Sequence, residues 1–193
     1  EFAIQTHGSI GPSCAIADYG GGRLTVWSAS QAPHWLRREL SAALGIPVTN
    51  IRVIYFDGSG CFGRNGHEDA AADAALISRE IGRPVRVQWM RHDEHAWDPK
   101  GPPTLVEIRA GLDSNGNVTA WQSEFWIPKL TLITDGVPLI AASLAGLPRK
   151  EAINPGNIFQ NSAPPYVFPN AHALVHRLET TPFRPSWIRT PGR

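Results

Sequence analysis

Gly58-Ser59-Gly60-Cys61-Phe62-Gly63-Arg64-Asn65-Gly66 stands between a β-branched run, Val48 to Phe56, and an alanine-rich run over 68–81. The first run reads as a strand, with Ile51, Val53 and Tyr55 alternating against Arg52 and Ile54. The second reads as a helix, whose Ala70, Ala74, Ile77 and Ile81 form a narrow stripe. Glycines between the two let the backbone come close to a ligand, and a helix N-terminus attracts negative groups. Residues 58–63 spell G-x-G-x-x-G, the formal dinucleotide fingerprint. Two features oppose that use. The helix is expected only after Gly66, not inside the motif. The ribose-binding acid, due about 20 residues on, is replaced by Arg83-Pro84, and Asp93 lies too far along. No Gly-Lys-Ser/Thr follows the loop, which excludes a Walker-type phosphate site.

Upstream, Gly20-Gly21-Gly22 turns into an alternating strand, Arg23 to Ser28. Ser30 is expected to cap a helix over 31–44, with Ala32, Trp35, Leu36, Leu40, Ala43 and Leu44 on one face. Gly45 and Pro47 stop it. Downstream, Gly82 ends the helix over 68–81 and Pro84 to Met90 makes a third strand. Strands alternating with helices argue for α/β layering. Past residue 100 the pattern changes: Thr104 to Leu112 and Val118 to Trp126 flank Asp113-Ser114-Asn115-Gly116, a hairpin signal. Residues 128–169 are irregular and proline-rich, and Ala171 to Glu179 offers one more strand.

The remaining polar clusters have plain explanations. His92-Asp93-Glu94-His95 with Asp98 lacks the spacing of a helical zinc site and reads as a solvated turn. Glu68 and Asp69 suit the start of a helix through its dipole. Cys61 fits a tight turn by its size, and Cys14 and Cys61 can pair but do not have metal-ligand spacing. No metal ligands are assigned.

Composition bounds the rest. In 193 residues, 42% are hydrophobic and 18% charged, too apolar for a disordered segment. The net charge of +1 gives no reason to expect nucleic acid or an acidic membrane. No apolar run approaches the ~18 residues of a membrane span. The only Met is Met90; the chain opens Glu1-Phe2 and closes, after Arg189-Thr190-Pro191-Gly192, on loop-like sequence. A segment of a longer polypeptide is therefore expected.

From Ser28 to Glu94 the motifs fall in an order that resembles the molybdopterin-binding large subunit of the xanthine oxidase family. Ser28-Ala29-Ser30-Gln31 resembles the family's approach to the first helix, which Leu44-Gly45-Ile46-Pro47 closes before Ile51-Arg52-Val53. Gly60-Cys61-Phe62-Gly63 is similar to Gly-Gly-Phe-Gly. Gly82-Arg83-Pro84-Val85-Arg86 and Arg91-His92-Asp93-Glu94 follow as Gly-Arg-Pro-Val-Arg and Arg-x-x-Glu. Gln5-Thr6-His7 lies where the family has Gln-Glu-His, and Arg189 where it has the Arg of Ala-Phe-Arg-Gly. Cys61 and Arg64 replace glycines of the purine oxidisers. Asn65-Gly66-His67 lengthens the loop, which leaves the counterpart of the Glu after it open at Glu68. The insertion over 128–169 and Ala96-Trp97-Asp98-Pro99 point to the isoquinoline oxidoreductase and aldehyde dehydrogenase branch.

The resemblance implies one partial domain over 1–193, α/β (α+β), with a mixed sheet, two main helices and a β-hairpin. It implies that Gln5, Gly60, Cys61, Phe62 and Gly63 bind the molybdenum–molybdopterin cofactor, in its cytosine dinucleotide form, and that Arg189 serves catalysis beside the substrate. The parent would oxidise an N-heteroaromatic ring carbon or an aldehyde, with water as oxygen source and a carboxylate base from further downstream. Electrons would leave through iron–sulfur clusters on a partner subunit, with a cytochrome c as a further acceptor, in a periplasmic or membrane-associated bacterial complex. The segment alone is expected to be inactive. Two other readings stand beside this one: a nicotinamide-dependent domain built on residues 58–63, and a non-catalytic interaction module.

Overall fold

In the sequence Ala15-Ile16-Ala17-Asp18, alanines alternate with larger or charged groups. In the computed structural model Ala15 and Ala17 are buried while Ile16 and Asp18 are exposed. The structure describes residues 1–63, 65–128, 139–144, 146, 162–180, 183–186 and 188. This first strand, β1 (Cys14–Gly20), is absent from the sequence reading because Ala, Asp and Gly are poor strand formers. Pairing on both edges makes it a strand: it runs antiparallel to β2 (Arg23–Ser28) and to β4 (Val85–Gln88).

Helix α1 (Pro33–Leu44) crosses from β2 to β3 (Ile51–Tyr55), which lies parallel to β2. The sheet order is β3-β2-β1-β4. Gly45 adopts the left-handed conformation (φ 66°) that closes α1, as expected. The expected cap at Ser30 is corrected: Ala32 holds the N-cap position. The Ser30 hydroxyl accepts from the Ala32 amide and donates to Glu68 at 2.6 Å. The strand expected from Val48 begins only at Ile51, since Val48–Asn50 forms a 3-10 turn.

Helix α2 (His67–Ile81) packs on β1, β2 and β4 and touches α1, so both helices cover one face of the sheet. Ala71, Ala74, Ala75 and Ser78 face inward and let its backbone lie close to the strands. The expected stripe is corrected here. Ala70 and Ala74 are buried, but Ile77 and Ile81 are 42% and 55% exposed, because the bulky side chains cannot fit so close an approach. Leu24, Val26, Leu36, Leu40, Ile51 and Leu139 complete the core. Fully burying one such leucine stabilises by roughly 1.5–3 kcal/mol.

The segment read as a solvated turn is instead helix α3 (Arg91–Trp97), and its Glu94 is buried. The hairpin is as expected: β5 (Leu105–Leu112) and β6 (Val118–Pro128) pair antiparallel around Asp113. A parallel third strand, β7 (Asn170–Leu178), completes this second sheet. Trp126 stacks on its register partner His176, with centroids 4.8 Å apart. Most of the proline-rich stretch over 128–169 lies outside the described residues; within it is the short helix α4 (Ile140–Leu144). Neither cysteine is in a disulfide, so the possible bridge between Cys14 and Cys61 is corrected.

Candidate functional site

The glycine loop bends sharply at three positions. Gly60 and Gly63 have φ of 101° and 112°, and Phe62 has φ 57° although it is not glycine. The φ of Gly60 is one that side-chain-bearing residues rarely adopt, and the Phe62 ring lies over it, 2.9 Å from where a Cβ would stand. Side chains hold the loop's carbonyls from the buried side. Asn65 Nδ2 donates to the Cys61 carbonyl at 3.0 Å and to Ser9 Oγ at 2.9 Å. The Cys61 thiol donates to the Gly63 carbonyl at 2.7 Å. His67 Nε2 lies 3.0 Å from the Gly60 carbonyl, an acceptor only, so the imidazole carries its proton on Nε2. The Asn65 amide oxygen in turn accepts from the His67 backbone at 3.0 Å, at the first residue of α2.

The N-terminal segment lies along this loop. Ile10 N donates to the Ser59 carbonyl at 3.1 Å, and Ser59 Oγ donates to the Gly11 carbonyl at 2.9 Å. Arg91 clamps the carbonyls of Ser9 and Ile10 at 2.7 and 2.8 Å. Gln5 is exposed, and its backbone forms a bridge with Gly101, whose amide donates to the Gln5 carbonyl at 2.7 Å. Ile188 bridges Gly63 and fills the space above Gly101, where a Cβ would come within 2.4 Å of its side chain. Four separate stretches of sequence therefore meet: the segment carrying Gln5, the glycine loop, residues 100–101 and Ile188. Arg189, the candidate catalytic residue, lies outside the described residues.

A buried polar seam anchors the meeting point. Asp98 accepts from Thr6 Oγ1 at 2.9 Å, pairs with Lys100, and has His7 Nδ1 at 3.7 Å. Burial pushes the Lys100 ammonium below the ordinary lysine range; Arg184 adds to this and Glu94 opposes it. Glu94 accepts from Ser13 Oγ at 2.7 Å and from Arg91 at 3.2 Å. Asp69 accepts the Arg184 guanidinium at 2.8 and 3.1 Å and the Ile140 amide at 2.9 Å. The helix-start acids Glu68 and Asp69 thus tie distant segments together, beyond favouring the helix dipole.

Beside the loop opens a mostly apolar pocket of about 390 Å³, with Trp27, Phe56, Asp57 and Gly58 among its walls. Tyr55 donates to Asp57, and this bond chiefly raises the tyrosine's pKa. No group of three His, Cys, Asp or Glu side chains that could hold a metal ion occurs among the described residues. What the loop offers is backbone. Peptide planes are trans among the described residues, so a carbonyl turned inward places the following N–H on the opposite side. The amides of Cys61 and Phe62 are turned away from Asn65 and His67 in this way. Backbone amides close to the N-terminus of a fifteen-residue helix suit an anionic group. Backbone N–H donors in a positive-φ glycine loop beside a helix start are of the kind that fits a molybdenum–oxo cofactor.

Sequence reading put the glycine loop and Gln5 forward as candidates and missed Asn65, His67 and Asp98 as the groups that hold these segments in place. The only signal was the polar lengthening Asn65-Gly66-His67, whose partners lie elsewhere in the chain.

Comparison with known proteins bears on the same region. The family described as "Molybdopterin cofactor-binding domain" matches residues 1–145. A nicotinate dehydrogenase subunit of Pseudomonas putida is 40% identical over 191 residues, 97% of this chain and 15% of that protein. The aldehyde oxidoreductase molybdenum-binding subunit of Escherichia coli K12 is 34% identical over 123 residues, 63% of this chain and 17% of that one. The chain thus spans less than a fifth of the length of these relatives. Among solved structures, the aldehyde oxidoreductase from Desulfovibrio gigas superposes with a TM-score of 0.69 over 99% of this chain and 20% of that chain, at 17% identity. Quinoline 2-oxidoreductase from Pseudomonas putida 86 gives 0.59 over 65% of this chain and 16% of that chain, at 24% identity. At these identities the two structures speak for the fold alone.

Proposed function

The chain belongs to the molybdopterin cofactor-binding domain family of xanthine oxidase-type enzymes, and on that premise we propose that it forms part of the cofactor pocket of a molybdenum hydroxylase large subunit. The parent oxidises a carbon of an N-heteroaromatic ring, with an aldehyde as the second substrate class, and takes its oxygen from water. Residues 1–193 act as one partial domain with an insertion over 128–169. The observation that supports this most is the positive-φ loop at Gly60–Gly63, whose Gly60 and Cys61 carbonyls are clamped by His67 and Asn65 beside the N-terminal segment.

The bound cofactor, in its cytosine dinucleotide form, supplies the two-electron oxidation and the activation of water. The chain's own work is to bind and orient. Amides of the glycine loop and the Gln5 side chain would hold the cofactor by hydrogen bonds, and Arg189 would bind the substrate. The base that takes a proton comes from sequence beyond these residues. Electrons would leave through iron–sulfur clusters of a partner subunit, with a cytochrome c as a further acceptor. The ring substrate is favoured over the aldehyde because similarity to the nicotinate dehydrogenase runs over 97% of this chain, against 63% for the aldehyde oxidoreductase.

The full-length subunit with its iron–sulfur partner, given a pyridine carboxylate in oxygen-18 water, is expected to place one labelled oxygen in the product. Gln5→Ala and Arg189→Ala are each expected to lower kcat/KM on the order of 100-fold, as for loss of a single transition-state donor. Unlabelled product, or tight nicotinamide binding by a protein without molybdenum, would refute the reading.

A further inference from the structure

We infer that Asn65 and His67 are positioning residues that aim the backbone amides of the glycine loop at the cofactor. The inference rests on the function proposed above and concerns two residues that the resemblance gives no role. Asn65 is fully buried, and its side chain uses both ends: Nδ2 holds the Cys61 carbonyl and Ser9, and Oδ1 holds the His67 amide. His67 is 2% exposed, and its Nε2 proton goes to the Gly60 carbonyl. The two side chains therefore fix successive peptide planes, 60–61 and 61–62. In a trans peptide the N–H opposes the carbonyl, so each clamp on a carbonyl oxygen also sets the direction of one N–H. Asn65 sets the amide of Phe62 and His67 sets the amide of Cys61. Phe62 holds a positive φ that a non-glycine residue rarely adopts, so its peptide plane needs restraint from its neighbours. Without the clamps, the two planes can rotate and present carbonyl oxygens to an anionic group, which repels them.

Three changes in the full-length enzyme with its partner subunit separate this role from simple stability. Asn65→Asp keeps the acceptor for the His67 amide and removes the donor to Cys61. His67→Leu removes the donor to Gly60. His67→Gln keeps an N–H at nearly the same reach. Molybdenum and pterin content, the molybdenum(V) electron paramagnetic resonance spectrum and Tm are read for each. Asn65→Asp and His67→Leu are expected to weaken cofactor retention about 10–100-fold, as loss of an outer-shell partner does, and to shift the spectrum of the fraction still loaded. His67→Gln is expected to restore both content and spectrum. If Asn65→Asp yields no soluble enzyme, the His67 pair decides alone. The assignment is overturned if the variants that fold keep full cofactor with an unshifted spectrum, or if losses track Tm and Gln does not rescue. An unaltered enzyme that carries no molybdenum would overturn the proposed function and this assignment with it.

Discussion

Asp73 on α2 accepts a hydrogen bond from the Trp89 indole at 3.1 Å while half-buried beside Asp69. Burial is the main cause that raises its carboxyl pKa; the Asp69 charge adds to the rise and the indole N–H opposes it. The folded chain thus keeps a proton at pH values where the unfolded chain has lost it. Stability is greatest below the ordinary Asp pKa of about 4 and declines as pH rises through the higher folded value. Asp73→Asn retains an oxygen for Trp89 and carries no charge. Its Tm is expected to exceed that of the unaltered chain at pH 7 and to match it at pH 3. A loss of Tm at pH 7 would show that the carboxylate itself stabilises the fold. At this scale the sequence displays identities but not pairings. Phe62 and Gly63 are legible because the glycine pattern constrains its own backbone. Asn65 and Asp98 are not, because their partners sit up to 92 positions away.

At the scale of elements, periodicity located both main helices, the hairpin and four of the strands. It failed at β1, whose alanines gain their strand conformation from neighbours on either side. It also misplaced the face of α2. The apolar stripe Ala70, Ala74, Ile77, Ile81 is a legitimate helical pattern, but hydrophobicity alone does not show how closely a helix approaches its sheet. The alanine face wins because it allows the shorter distance, and the isoleucines turn outward. Chemical denaturation of two variants tests this. Ala74→Leu is expected to cost about 1–3 kcal/mol by overpacking a site with no exposure. Ile81→Ala is expected to stay within about 0.5 kcal/mol of the unaltered chain. The reverse ranking would restore the stripe read from sequence.

Across the whole molecule, the site exists because distant segments are held together by buried charge. The ion pair of Asp69 with Arg184 joins the start of α2 to a segment 115 positions away, and the carboxylates of Asp98 and Glu94, paired locally with Lys100 and Arg91, reach Thr6 and Ser13 of the N-terminal segment by hydrogen bonds. Ion pairs of this kind contribute little net stability, since desolvation offsets attraction, but misassembly that left one charge unpaired would cost several kcal/mol. They therefore select one arrangement of these stretches. The order of motifs along the chain foretold the mixed α/β fold; the seam that closes it was read as a solvated turn. Charged residues are a poor guide to burial when their partners are remote in sequence.

The central claim is that the bend around Phe62 serves a molybdenum cofactor. Metal and pterin analysis of the intact large subunit, purified with its partner, tests it most directly. About one molybdenum and one pterin per large subunit are expected, both lost together on denaturation. A protein that folds and assembles yet holds neither, or that holds a nicotinamide dinucleotide instead, would contradict it.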